Sequence, residues 1–144
     1  MFGTMGHATA LVPTKQSEMW ERVVTLGQQF QPLIDKLYSL DGGIRYAGLI
    51  NAQGVLLAGG LRVGTKSLDS DAEEKLRLRQ LATAGVVSRI WERAYGKCAY
   101  TIMRFQNLLV AQFPYRDLTM IVSMAPNIRM QVVDQISDIL VRNN

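Results

Sequence analysis

The sequence predicts an α+β fold, in which a five-stranded antiparallel sheet carries one long helix on one face and the terminal helices on the other. Apolar residues follow the order helix, two strands, long helix, three strands, helix. The links between consecutive strands are short enough to force antiparallel neighbours. The chain has 144 residues, 48% of them hydrophobic, which suffices for one domain with its own core.

The two ends of the chain differ in character. Residues 1–16 follow no period, and we predict a flexible N-terminal arm there and a single domain over residues 17–144. The arm holds His7, the only histidine, and nothing in an arm would position it as a catalytic base. Cys98 is the only cysteine, so no intrachain disulfide can form, which favours a cytoplasmic location. No apolar run approaches the roughly 20 residues of a membrane-spanning helix.

The first predicted helix contains a proline. Apolar residues recur at three- and four-residue steps after Ser17, which is a candidate N-cap. Proline removes a hydrogen bond inside a helix and clashes with the preceding turn. Pro32 therefore either kinks the helix near Phe30 or splits it into helices 17–29 and 32–39.

The stretch AGLINAQGVLLAGG could be a phosphate-binding glycine loop or a β-hairpin. A phosphate loop of the Walker type needs Gly-Lys-Ser/Thr at a helix start, and the dinucleotide fingerprint needs a helix after its glycines. Here residues 51–54 have turn chemistry and lie between two apolar runs, 44–50 and 55–60. We predict a hairpin, in which the closing Gly59-Gly60 pair marks a bulge or a strand exit.

The long middle helix is predicted over residues 71–94. It begins with a capping box, Ser70 to Glu73, and Gly96 is a suitable terminator. At 100° per residue it has three distinct faces. The predicted core face consists of Leu76, Val87, Ile90, Trp91 and Ala94. An adjoining stripe of apolar and small residues consists of Leu78, Leu81, Ala82 and Gly85. A basic row consists of Lys75, Arg79, Arg89 and Arg93.

Three strands and a helix complete the chain. Strands are predicted over 98–105, 108–113 and 118–124, and their short connections favour hairpins. A final helix with a regular apolar period is expected after Asn127, which is a candidate N-cap.

Several phrases of this sequence resemble those of roadblock-type domains. These are the GLINAQGVLLAGG hairpin, the pair IRYAGLI and GGLRVG, and the helix end SRIWERAYG. The resemblance runs from Leu33 to Val141 and extends to small archaeal proteins of roadblock-like appearance. Roadblock-type domains are profilin-like modules of dynein light chains and of prokaryotic partners of small GTPases. The resemblance implies a strand order of 2-1-5-4-3, dimerisation through the middle helix and third strand, and no catalytic residues. The helix before Phe30 is additional to the minimal module.

The adjoining stripe of the middle helix independently favours a homodimer. One apolar stripe is enough to bind a helix to a sheet, and a second one in water would be an unusual apolar patch for a monomer. We therefore predict that Leu78, Leu81, Ala82 and Gly85 form the dimer interface. The alternative is that the N-terminal arm or the loop at 61–69 covers this stripe.

The sequence offers no group of residues suited to catalysis. The carboxylates of Asp69, Asp71, Glu73 and Glu74 surround a helix start, where they serve the cap and the helix dipole. One histidine and one distant cysteine cannot make a zinc site or a catalytic triad. We predict a non-enzymatic protein without cofactor or metal.

The basic row is the most functional-looking surface of the sequence. With Arg62 of the glycine-containing loop before the helix, it could bind an acidic protein surface such as that of a small GTPase. The alternative is a solvated helix face that binds no partner. A net charge of +4 does not distinguish these two possibilities. Nucleic acid is an unlikely partner, because binders of single strands stack the bases on aromatic side chains, and the strand residues Tyr100 and Phe105 fit the core as well as such a platform.

The other functional class left open is a small-molecule sensor of profilin-like or PAS-like architecture. Such a domain needs polar groups that converge in an apolar cavity between sheet and helix. Tyr46, Cys98 and Tyr100 are the candidates, and each also fits ordinary packing.

Overall fold

The computed structural model describes residues 15–144, so His7 and most of the predicted arm lie outside the described residues. The helices are α1 (Lys15–Tyr38), α2 (Asp71–Tyr95) and α3 (Met130–Arg142). The strands are β1 (Ile44–Ile50), β2 (Leu56–Leu61), β3 (Thr101–Arg104), β4 (Leu109–Tyr115) and β5 (Leu118–Met124).

The five strands form one sheet in the order β2-β1-β5-β4-β3, and all neighbours are antiparallel. Both the predicted fold class and the strand order implied by the resemblance are confirmed. β1 and β5 lie in the centre, whereas β2 and β3 form the two edges.

Helices α1 and α3 cover one face of the sheet with a large apolar core. Among the side chains that the structure describes, this core has 21 buried residues, which come from both helices and from strand positions such as Leu49, Phe113 and Val122. Leu37 of α1 and Ile136 of α3 are fully buried in it. At roughly 2 kcal/mol per fully buried large side chain, this layer dominates the stability of the protomer.

The opposite face of the sheet, which carries α2, is made of smaller and more polar residues. One row across the strands reads Gly59, Gly48, Ile121, Gln112 and Thr101. The apolar cluster between α2 and the sheet has only four buried members, Ile50, Leu78, Ala82 and Ile121. Helix α2 is therefore bound to the sheet through far less apolar contact than α1 and α3.

Helix α1 runs through its proline without a break in helical structure. Its described part runs from Lys15 to Tyr38, so Ser17 lies inside the helix and is not its N-cap, and Pro32 does not split it. Phe30 and Leu33 are buried on either side of the proline, and the Phe30 ring packs edge-on against Tyr115 with centroids 5.9 Å apart. Core packing on both sides of the proline keeps the two halves in one helix.

The ends of α2 confirm the predicted capping chemistry. The Ser70 hydroxyl accepts from the Glu73 amide at 3.2 Å, and the Glu73 carboxylate accepts from the Ser70 amide at 3.1 Å. These hydrogen bonds lower the pKa of Glu73. Gly96 ends the helix with a positive φ of 85°, and its amide donates to the carbonyl of Glu92.

The start of α3 differs from the prediction. Its N-cap is Arg129 and not Asn127, and no side chain caps the first turn. The intervening Ile128 is buried in the core, and its amide donates to the Ala125 carbonyl in a turn. Burial of Ile128 thus fixes the chain just before the helix, and α3 begins only after this residue.

The β1–β2 connection is the predicted hairpin, and its tip rests on α2. The Asn51 side-chain carbonyl accepts from the amides of Gln53 and Val55, both at 3.0 Å. Gly54 has a φ of 80°, and a Cβ there would lie 2.7 Å from the backbone of Arg79. Only glycine allows the hairpin tip to touch the helix backbone so closely.

Gly54→Ala should destabilise the protein by about 2–4 kcal/mol, since it combines an unfavourable φ with a steric clash. Gly64 is a matched control, because its φ is 84° but a Cβ there would meet nothing within 4 Å. Gly64→Ala should cost only about 1–2 kcal/mol. Urea denaturation of both variants checks this, and equal losses would show that the tip does not rest on α2.

Candidate interaction surface

The orientation of α2 on the sheet is the reverse of the predicted one. Leu78 and Ala82 are only 6% and 3% exposed, because they pack on Ile50 and Ile121 of the sheet. Leu81 and Gly85 are half-buried on the same side. The prediction that these four residues form an exposed dimer interface is therefore wrong, since their own sheet covers them.

Small residues explain this orientation. A Cβ at Gly85 would lie 3.4 Å from the Thr119 hydroxyl and 3.7 Å from the Gln112 side-chain nitrogen. The sheet presents buried polar groups at those two positions, so the helix side that approaches them must be small. Gly85, which suggested that a second helix could approach closely, instead allows the chain's own sheet to lie close to α2.

The predicted core face of α2 is exposed instead. We call Leu76, Val87, Ile90, Trp91, Ala94 and Tyr95 the outer stripe. Ile90, Trp91 and Tyr95 are 72%, 65% and 81% exposed, and the Trp91 and Tyr95 rings touch edge-on with centroids 6.2 Å apart. From Val87 to Tyr95 these side chains form an exposed apolar patch, which on a protomer is typical of an interaction site.

A groove of about 560 Å³ continues the outer stripe toward the edge of the sheet. It is lined by Val87, Trp91 and Tyr95 on α2, and by Cys98, Thr101 and Gln112 near or on the sheet. The outer edge of β3 pairs with no other strand within residues 15–144. The exposed Met103 and Phe105 extend this apolar surface along and just beyond that strand.

The basic row lies beside the outer stripe, and all four of its side chains are exposed. Lys75 and Arg93 are 18 residues apart, which is five full turns, and therefore lie on one line along α2 with Arg79 next to it. Arg89 is rotated toward the sheet. In the described part of the chain, the ion pairs of α2 involve Arg77, with Asp69 at 3.0 Å and Glu73 at 3.9 Å, and none involves the basic row.

Arg62, which was predicted to join the basic row, is instead bound to the chain's own backbone. Its guanidinium donates to the carbonyls of Tyr38, Asp41 and Ile44 at 2.6–2.8 Å. It also lies 4.6 Å above the Tyr38 ring. With three hydrogen bonds to its own backbone and a half-buried side chain, Arg62 is a structural residue that fixes the turn between α1 and β1.

The three residues that suggested a small-molecule pocket are not brought together. Tyr46 lies beneath α2, Cys98 lies beside the groove at β3, and Tyr100 lies on the other face of the sheet against Phe113. The Tyr100 hydroxyl donates to Asp134, which raises its pKa. Across residues 15–144, no group of three or more His, Cys, Asp or Glu side chains is placed to hold a metal ion. No helix in the same range is long and apolar enough to cross a membrane.

No family model and no curated protein matches this sequence. Solved structures do match its fold. A roadblock/LC7 domain from Streptomyces avermitilis superposes with a TM-score of 0.58 at 12% identity, over 76% of this chain and 88% of that one. The gliding protein MglB from Thermus thermophilus gives 0.57 at 11% identity, over 93% and 94% of the two chains.

The chain has the fold of a roadblock-type domain. Profilin IA from Acanthamoeba castellanii also matches, with a TM-score of 0.50 at 16% identity, over 79% of this chain and 98% of that one. The two matches agree with the arrangement described above, in which a profilin-like sheet is covered by α2 on one face and by α1 and α3 on the other. The resemblance inferred from short sequence phrases is confirmed at the level of the fold.

The structural role of Arg62 can be separated from a partner-binding role. Arg62→Gln should destabilise the protein by about 2 kcal/mol, because three carbonyls lose a charged donor. Arg79→Gln is the control, since Arg79 is exposed and forms no ion pair with a described residue. It should change the free energy of unfolding by less than about 0.5 kcal/mol. A stable Arg62→Gln protein would return Arg62 to the candidates for partner contact.

Proposed function

We propose that this protein is a non-catalytic homodimeric interaction module of the cytoplasm that regulates or binds a small GTPase. The observation that supports a dimer is the exposed outer stripe next to the free edge of β3. The small-GTPase partner rests on the resemblance to prokaryotic roadblock-type proteins and on the unpaired basic row. This second part is an analogy at the level of the fold.

Two physical requirements favour a second copy as the occupant of the outer stripe. Large apolar side chains such as Ile90 and Trp91 gain free energy when they leave water. An unpaired strand edge has free amide and carbonyl groups that another strand can satisfy. A symmetric partner meets both requirements at once, because antiparallel pairing of the two β3 edges places the two α2 helices side by side.

In such a dimer the basic rows flank the shared apolar seam. Lys75, Arg79 and Arg93 then stay in water on both protomers and form a basic surface on each side of the seam. An acidic partner surface complements this charge and associates faster at low salt. An MglB structure of this fold has a tetrameric arrangement, and assembly of copies is therefore a feature of at least one similar protein.

The dimer is tested by a charge in the outer stripe. Trp91→Glu should convert the dimer to monomers, because Trp91 lines the groove beside β3 and a carboxylate of each protomer would be buried in the seam. The fold should persist, since Trp91 is exposed in the protomer. Leu68→Glu is the matched control, because Leu68 is an apolar residue of nearly equal exposure, 66% against 65%, that lies in the loop before α2. Sedimentation velocity on all three proteins measures the assembly.

The expected pattern is a dimer for wild type and for Leu68→Glu, and a folded monomer for Trp91→Glu. A wild-type protein that sediments as a monomer at high concentration would disprove the dimer. A dimer that survives Trp91→Glu would show that the chain associates through another surface.

The partner class is tested with purified small GTPases from the same genome, loaded with GDP or with a non-hydrolysable GTP analogue. Calorimetry should detect binding to one nucleotide state, with an affinity that falls as salt is added. The double variant Lys75→Glu/Arg79→Glu should weaken binding at least tenfold, whereas Arg142→Glu at the far end of α3 should not. Binding that is unchanged by salt and by the double variant would exclude the basic row as the binding surface.

A further inference from the structure

The two halves of α2 differ in how firmly their own protomer holds them. The buried residues of the helix, Leu78 and Ala82, both lie in its first half. The tip of the β1–β2 hairpin also rests on this half, where a Cβ at Gly54 would lie 2.7 Å from the backbone of Arg79. In the second half, residues 86–95, no side chain is buried in the protomer.

Polar contacts hold the second half of α2 only weakly as well. The Ser88 hydroxyl donates to the Gly85 carbonyl at 2.9 Å, which is a contact inside the same helix. The Glu92 carboxylate accepts from the Cys98 amide at 3.4 Å, which is long for a hydrogen bond. Among the described residues, no ion pair involves any member of 86–95. The segment is therefore bound only loosely to the sheet beneath it.

The sequence of the second half is also a poor helix former. It begins with VVSRIW, in which Arg89 alone has a high helix propensity, because β-branched and aromatic side chains lose rotamer freedom against the preceding turn. The first half contains AEEKLRLRQLATA, in which every residue except Thr83 is a strong helix former, and it starts with the capping box. Gly85 separates the halves, and only proline is a weaker helix former than glycine.

We propose that residues 86–95 become fully helical only when two copies associate through the outer stripe. This inference rests on the proposed dimer and adds that dimerisation is coupled to folding. Short helical segments are marginal in water unless packing of an apolar face supports them. In the dimer, Val87, Ile90 and Trp91 receive this packing from the partner copy, and the segment orders in the same step. The helix described above is the conformation that the dimer stabilises.

Coupled folding makes the basic row depend on assembly. Arg93 lies in the second half of α2 and forms one end of this row, whereas Lys75 and Arg79 lie in the anchored first half. A single protomer therefore presents only part of the row in a fixed arrangement, and the dimer presents all of it. The concentration of the protein thereby controls whether an acidic partner meets the complete basic surface.

Alanine and glycine at one exposed position of the segment measure this coupling. Val86 is 47% exposed and lies about two turns from both Arg79 and Arg93, in line with the basic row and outside the outer stripe. Alanine favours the helical state about fivefold over glycine inside a helix. Because both copies order on association, the dimer of Val86→Gly should have a dissociation constant about 25-fold higher than that of Val86→Ala.

Lys75 is the matched control, because it is exposed and lies about three turns before Val86 on the same side of α2, in the first half. Lys75→Ala and Lys75→Gly should have equal dissociation constants, since the first half is helical in the monomer and in the dimer. Sedimentation equilibrium measures all four constants. Hydrogen exchange of the wild type adds a direct measurement, in which dilution to the monomer should lower the protection of the amides of 86–95 about tenfold or more and leave that of 75–84 unchanged.

The outcomes separate this inference from the dimer itself. Equal dissociation constants for Val86→Ala and Val86→Gly would overturn coupled folding and leave the dimer in place. Amides of 86–95 that keep their protection in the dilute, monomeric protein would overturn it as well. A wild-type protein that stays monomeric in the sedimentation experiments would remove the proposed dimer together with this inference.

Discussion

The apolar layer between the sheet and helices α1 and α3 is the contact on which the rest of the structure depends. It holds most of the buried large side chains, and it anchors central strands β1 and β5 as well as β4. This layer lets α1 continue through Pro32, and it sets the start of α3 after Ile128. Because one face of the sheet provides this stability, the other face is free to carry small and polar residues.

The turn between α1 and β1 ties this layer to the edge of the sheet. The Tyr38 hydroxyl donates to the Gly60 carbonyl on β2 and accepts from the Ala47 amide on β1. Burial raises the pKa of this hydroxyl above its usual value. Arg62 lies over the same ring and holds the turn through three carbonyls. One tyrosine and one arginine thereby connect α1 to both strands of the first hairpin.

Local signals in the sequence predict the elements well, but they do not orient α2. The hairpin at Asn51, the capping box at Ser70 and the terminator Gly96 each depend on neighbouring residues, and each is confirmed. The side of α2 that meets the sheet depends on what the sheet presents there. The buried Gln112 and Thr119 need a small helix surface above them, and this requirement is not visible in the helix sequence alone. Arg62 likewise looks like a surface charge until its distant carbonyl partners are known.

The contact between the hairpin tip and α2 has a mechanical consequence. Gly54 touches the backbone of Arg79, whose side chain points outward as a member of the basic row. The same helix turn therefore meets solvent on one side and the first hairpin on the other. A force applied to Arg79 by a bound protein would pass directly to β1 and β2, and through Tyr38 to α1. The edge of the sheet farthest from β3 is thus linked to whatever docks on α2.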